Sequence, residues 1–189
     1  MIFTKQSKEL MVVLAYLYFM LPGIFANMMP VLMKKHWMWL ARPVDFNLKW
    51  FDGKNLLGDH KTWRGLVSGT VVSIIIVAIQ KWLLQFETFE KISIFPYDQY
   101  SVWLTGFLIG FGALFGDMVK SFIKRRVGIE PGKKFIPWDQ IDAAVGAIAL
   151  VSIIWPVGWI RSLALIIFTF VLHILVRNVG YYLKINKRW

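Results

Sequence analysis

Cysteine is absent from the 189 residues, which excludes disulfides, a thiolate nucleophile and any zinc–sulfur site. Charge is scarce as well: 17% of residues are charged against 57% hydrophobic, with a mean hydropathy of +0.55. A water-soluble chain needs enough polar residues to coat its core, and this one lacks them. The same composition excludes disorder. Acids are half as frequent as bases, 11 against 22, leaving a net charge of +11. No repeat of domain-building length and no low-complexity segment is visible. The first apolar run also lacks a small-residue cleavage site. Pro22, Asn27 and Pro30 continue it, so it reads as a membrane segment and not as a signal peptide.

What the chain has is long apolar runs. Crossing about 30 Å of hydrocarbon takes about 20 apolar residues in a helix. Five segments are expected to span, at roughly 10–33, 66–84, 102–119, 141–155 and 159–176, the last extending toward Leu183. Pro156 and Gly158 mark a tight turn before the fifth. The fold class predicted is therefore all-α: a polytopic helix bundle forming one membrane-embedded domain over residues 1–189.

Lysine and arginine set the expected orientation. Seventeen of the 22 fall at 34–65, at 118–140 and from Arg177 through Lys184, Lys187 and Arg188. Those stretches are expected in the cytoplasm, with the N-terminus and residues 85–100 outside. Seven acids share the basic side: Asp45, Asp52, Asp59, Asp117, Glu130, Asp139 and Asp142. Topology alone needs the bases but not these acids.

Three clusters mix the two signs. In GDMVKSFIKRR, at the end of the third span, Asp117, Lys120, Ser121 and Lys124 fall within an arc of roughly 100° on a helix, with Arg126 pointing away. A carboxylate beside two ammonium groups suits a cation together with a phosphate. A snorkelling helix end would explain the lysines, but a carboxylate following the glycine-rich run Gly106, Gly110, Gly112, Gly116 is costly. Those glycines read as helix-packing positions. The second cluster is PWDQID, where Asp139 and Asp142 share a helix face that Gly146 leaves uncrowded. Either acid could serve the helix N-terminus, or two helix ends could share a Mg²⁺ pair across the linker Pro131, Gly132, Lys133, Lys134.

The third cluster, FDGKNLLGDHKTWRG, is not a phosphate-binding P-loop, because Asp59 and His60 separate Gly58 from Lys61 and Thr62. It reads as a glycine-hinged basic loop carrying Asp52 and Asp59 before a helix N-terminus, a seat for a triphosphate. His173 and Arg177 lie one turn apart on the last span. Asn27, between two prolines, lines a polar dent or satisfies kinked backbone.

GDMVKSFIKRR followed by PGKKFIPWDQID resembles the signature region of membrane CTP-dependent cytidylyltransferases, closest to the CDP-archaeol synthase family. PGIFANMMPVL, FDGKNLLGDHKTWRG and HILVRNVGYYLKINKRW are similar to that family's opening helix, first loop and closing helix. The resemblance implies a reaction of CTP with a lipid phosphate, digeranylgeranylglyceryl phosphate, to give CDP-archaeol and pyrophosphate at the cytoplasmic face of the cell membrane. It implies metal ligation by Asp117, Asp139 and Asp142. Lys120, Ser121, Lys124 and Arg125 are expected at the phosphates, with Asp117, Lys120 and Lys124 as the catalytic set. Asp52, Asp59, Lys61, Thr62 and Arg64 are expected near the nucleotide. The implied cofactor is Mg²⁺, two ions, with a monovalent cation as a further option. The implied partners are CTP and a bilayer lipid phosphate, and no nucleic acid. The diacyl branch carries Pro-Gly-His-Gly-Gly before its DRxD, where this chain has Lys133-Lys134-Phe135-Ile136-Pro137 before DQID. The alternatives are a phosphatidate cytidylyltransferase, and a small transporter or assembly protein whose loops read anionic headgroups. The acids among the lysines argue against headgroup reading alone.

Overall fold

The computed structural model describes residues 5–130 and 133–182. Pro131 and Gly132 of the linker, and Lys184, Lys187 and Arg188 of the tail, lie outside the described residues. The architecture is all-helical: α1 (Lys5–Leu32), α2 (Trp63–Leu83), α3 (Glu87–Ile92), α4 (Val102–Arg126), α5 (Trp138–Val151) and α6 (Trp159–Tyr182), with single 3₁₀ turns at Met33–Lys35 and Met38–Leu40. Among the described residues two isolated bridges, Pro43 with Thr62 and Lys49 with Asn55, are the whole of the extended pairing.

Four helices, α1, α2, α4 and α6, are long and apolar enough to cross a membrane. The segment expected at 141–155 forms α5, which begins three residues earlier and has 14 residues, about 21 Å at 1.5 Å per residue. The third expected span runs on as helix to Arg126, so Lys120, Lys124 and Arg125 ride on α4 with Asp117, as the helical arc implies.

Glycines decide how closely the helices approach. A Cβ on Gly69 would stand 2.6 Å from the Ala26 carbonyl of α1, and one on Gly112 would stand 2.6 Å from the Gly146 carbonyl of α5. Gly106 and Gly110 meet Ile74 and Ser73 of α2, and Gly112 and Gly116 meet α5. The two glycine pairs thus serve opposite faces of α4, which lies between α2 and α5. Helix α6 packs on α5.

The densest apolar core lies toward the end where α2 connects to α4 and α5 to α6. Phe95 and Tyr97, 1% and 2% exposed, are buried there against Tyr18, Phe19, Val151, Val157 and Leu165. Phe95 packs on Trp155 with ring centroids 5.1 Å apart. The Gln80 side chain donates to the Tyr18 carbonyl at 2.5 Å, and the Tyr18 hydroxyl donates to the Gln80 carbonyl at 3.3 Å. This pair ties α1 to α2. The opposite end is left for polar chemistry.

Candidate active site

The glycine contacts between α4 and α5 set the site. Gly116 has room for no side chain because the Asp142 backbone carbonyl lies against it. The residue after that contact is Asp117, and one turn further on the same face is Lys120. From α5, Asp139 and Asp142 rise on the face that Gly146 continues. The helical spacing therefore brings carboxylates from two helices to one point.

Lys120 occupies that point. Its Nζ lies 2.9 Å from Asp117 Oδ1, 3.1 Å from Asp139 Oδ1 and 2.6 Å from Asp142 Oδ2, and the side chain is 14% exposed. Lys61 pairs with the other oxygen of Asp117. Lys124 lies 3.3 Å from Asp139 and donates to the Lys133 carbonyl. Three carboxylates and three ammonium groups thus interlock. In this semi-buried setting the removal of one partner leaves the others uncompensated. Burial pushes the Asp139 carboxyl up, but the Phe135 N–H at 2.5 Å and the Lys120 and Lys124 ammonium groups hold it below the usual carboxylate range.

The loop between α1 and α2 closes over this cluster. The buried Asp45 carboxylate accepts from the backbone N–H groups of Asn47, Leu57 and Gly58 at 3.1, 2.9 and 3.4 Å. That staple fixes Gly58, whose φ of +100° turns the chain toward His60 and Lys61. Thr62 caps α2 by accepting from the Gly65 N–H at 3.3 Å. Residues 49–55 form a small turn held to the end of α4, where Arg126 pairs with Asp52 at 2.9 Å and donates to the Asn55 carbonyl at 2.5 Å.

Of the residues expected at a site, Lys61, Asp117, Lys120, Ser121, Lys124 and Arg125 line one polar cavity of about 140 Å³. Thr62 lines an adjoining cavity of about 230 Å³ that also reaches Asp117. Asp139 and Asp142 join the cluster through Lys120. Three expected residues stand apart. Asp52 is engaged by Arg126, and Asp59 is exposed and lines neither cavity. Arg64 is buried and donates to the Lys34 carbonyl at 2.9 Å and the His36 carbonyl at 3.4 Å, tying down the turn after α1. Two residues escaped the sequence reading. His60 lines both cavities. Asp45 organises the loop, and its spacing to Asn47 is an Asx-turn signal that could have disclosed it.

Two larger cavities reach the cluster from its apolar side. One of about 390 Å³ between α1, α5 and α6 ends at Asp139 and Asp142, and one of about 450 Å³ between α4 and α5 ends at Lys120 and Asp142. Both are walled mainly by apolar side chains.

The donor chemistry suits a divalent cation. Hard carboxylate oxygens converge from two helices on a position already taken by a cation, the Lys120 ammonium. Among the described residues no three acids or imidazoles stand close enough to form a metal cage of their own. Mg²⁺ is usually bound by one or two carboxylates together with substrate phosphates, and this arrangement fits that mode.

A family model described as CarS-like, CDP-archaeol synthase, matches residues 9–189. The chain is 36% identical over 157 residues to a CDP-archaeol synthase of Thermococcus gammatolerans, covering 83% of this chain and 84% of that one. It is 37% identical over 153 residues to a CDP-archaeol synthase of Methanoregula boonei, covering 77% and 87%. A solved structure described as an intramembrane enzyme for archaeal membrane lipids biosynthesis superposes with a TM-score of 0.61 at 31% identity, covering 86% of this chain and 91% of that one. With four helices apolar enough to span a membrane, these relatives define a membrane enzyme of the cytidylyltransferase class. The chain belongs to the CDP-archaeol synthase family.

Proposed function

We propose that the chain transfers the cytidylyl group of CTP to an archaeal ether-linked lipid phosphate, digeranylgeranylglyceryl phosphate, releasing pyrophosphate and giving CDP-archaeol. The observation that carries this reading is the interlocked acid–base cluster lying where a polar cavity and two apolar cavities meet. An ionic nucleotide and an amphipathic phosphate can each reach it through its own medium.

In this reading a lipid-phosphate oxygen attacks the α-phosphorus of CTP in line. The new P–O bond forms as the bond to the β-phosphate breaks, and the electron pair leaves on pyrophosphate. No general base is required, because the attacking oxygen is already anionic at neutral pH. The difficulty is repulsion between two anions, and the basic side chains answer it. Lys61, Lys124 and Arg125 neutralise the triphosphate, Ser121 adds a hydroxyl donor, and Lys120 sits between the phosphates to favour charge shifting toward the leaving group. Asp117 and Asp139, with Asp142 beside them, would hold the divalent cation together with the substrate phosphates, and the cation when bound neutralises triphosphate charge and sharpens the electrophile. The lysines and arginines in the turn after α1 and at the end of α4 support a cytoplasmic location for this chemistry by the positive-inside rule.

The test uses purified protein in detergent with Mg²⁺, CTP labelled at the α-phosphate and the ether lipid phosphate. Label is expected in a lipid-soluble CDP product, with unlabelled pyrophosphate released in equal amount. Label that stays in CTP with this lipid, or that moves only onto the diacyl lipid phosphate, overturns the assignment.

A further inference from the structure

The cavity between α1, α5 and α6 carries a pattern that the reaction chemistry leaves unused. Each helix contributes a stripe of side chains at helical spacing. Met20 and Ile24 come from α1, Ala144 and Ala147 from α5, and Leu165 and Leu172 from α6. Helices α1 and α6 run toward the charged end of the bundle, and α5 runs away from it. Toward the charged end each helix adds one uncharged polar residue to the lining, Asn27 on α1, Gln140 on α5 and His173 on α6, with Met28, Asp139 and Val176 beyond them. Three different helices, two of them antiparallel to the third, place hydrogen-bonding side chains at one level. Asp139 and Asp142 flank Gln140 on α5 and line the cavity at the same end.

Gln140 supplies an independent sign that this level expects a ligand. The residue is 7% exposed, lines the cavity, and its Oε1 is buried without a hydrogen-bond partner. A buried amide oxygen left unpaired costs free energy unless water or a ligand satisfies it. His173 lines the same cavity as Asp139 and Asp142, so the collar adjoins the cluster and is not a distant dent. Its neutrality also has a physical reason. Amide and imidazole groups donate hydrogen bonds at the edge of hydrocarbon without the desolvation cost of an ion.

We propose that Asn27, Gln140 and His173 form a collar that holds the glycerol phosphate of the lipid substrate, Asn27 and His173 donating to its oxygens and Gln140 Oε1 accepting from the P–OH of the singly ionised phosphate. The tails lie along the apolar stripes below, and the phosphate is presented to the cluster above. The three are positioning residues: they set where the attacking oxygen sits without touching the α-phosphorus. This rests on the proposed reaction, and its test separates the two. A lipid phosphate carrying a fluorescent chain is titrated into wild type, Asn27→Ala, His173→Leu and His173→Asn in detergent. Initial rates are measured with lipid phosphate and CTP varied in turn.

Asn27→Ala and His173→Leu are each expected to weaken lipid-phosphate binding and raise its KM about tenfold, the loss of one good hydrogen bond. The KM for CTP should stay within about twofold by the same arithmetic, because neither residue lines the polar cavity of Lys61, Lys124 and Arg125. The His173→Asn variant, which keeps a donor, should recover most of the affinity. Unchanged lipid binding in both apolar variants overturns the collar, as does a rise in the KM for CTP that matches the rise for lipid. Failure of wild type to transfer label overturns the reaction instead, and binding of the fluorescent lipid then still reports on the collar.

Discussion

Where α2 connects to α4 and α5 to α6, the bundle closes on aromatic rings. Phe95 contacts Phe19, Tyr97, Tyr100 and Trp155 with centroids 4.8 to 6.3 Å apart. At the opposite end α4 and α5 meet through Lys120 and three carboxylates, with polar and apolar cavities beside them. Aromatic burial is driven by the non-directional hydrophobic effect and fills space closely. Ionic packing leaves space, fixes geometry and depends on every partner being present. One end therefore holds the bundle together, while the other holds like and unlike charges close at some cost in stability.

Substitutions at the two ends should fail in different ways. The largest effect is expected from Gly146→Leu. The side chain would collide with Gly112 and Gly116 of α4 and separate the two acid-bearing helices, so that detergent-solubilised protein loses both its cooperative melt and its activity. Next, Phe95→Ala should cost about 3–5 kcal/mol of stability, read as a lowered Tm, while the folded fraction keeps its KM for both substrates. A changed KM would mean that the aromatic end communicates with the site. Lys120→Met should abolish turnover and leave three carboxylates without their shared ammonium. Added Mg²⁺ should then raise the variant's Tm by more than it raises that of wild type. An equal rise in both would argue against these acids as the cation's ligands. Smaller still, Asp45→Ala frees three N–H groups and costs about 1–3 kcal/mol. Because it loosens the turn leading to Lys61, it should raise the KM for CTP more than that for lipid. The smallest effect should come from Arg126→Ala, which breaks a half-exposed pair with Asp52 worth about 0–1 kcal/mol and should leave both KM values nearly unchanged.

Much of the charged end was legible in the sequence because helical phase is simple arithmetic. The 100° step put Asp117, Lys120, Ser121 and Lys124 on one face, and the structure places all four in one cavity. The glycine spacings named the packing faces of α4, and the span positions matched the helices within a few residues at most ends. Other features depend on neighbours that a linear pattern does not name. Arg64 looked like a phosphate ligand in a basic loop, yet it is buried against the carbonyls of Lys34 and His36, which no local spacing predicts. The stretch at 85–100 read as an external loop, but Phe95 and Tyr97 fold back as a plug, because an isolated aromatic in a turn gives no periodic signal. The end of α4 was read short because hydropathy stops at Val119 while the backbone hydrogen bonding does not. The convergence of Asn27, Gln140 and His173 needs three helices in space.

The central claim is that the acids of α4 and α5 are the reaction centre. The most direct test is α-label transfer from CTP to ether lipid phosphate by Asp117→Asn, which keeps the side chain's size and removes its charge. The account predicts a fall in kcat of about 10²–10³-fold, the scale of losing one electrostatic contact to a transition state, with a Tm that shows the protein is still folded. A folded variant that transfers label at the wild-type rate would contradict it.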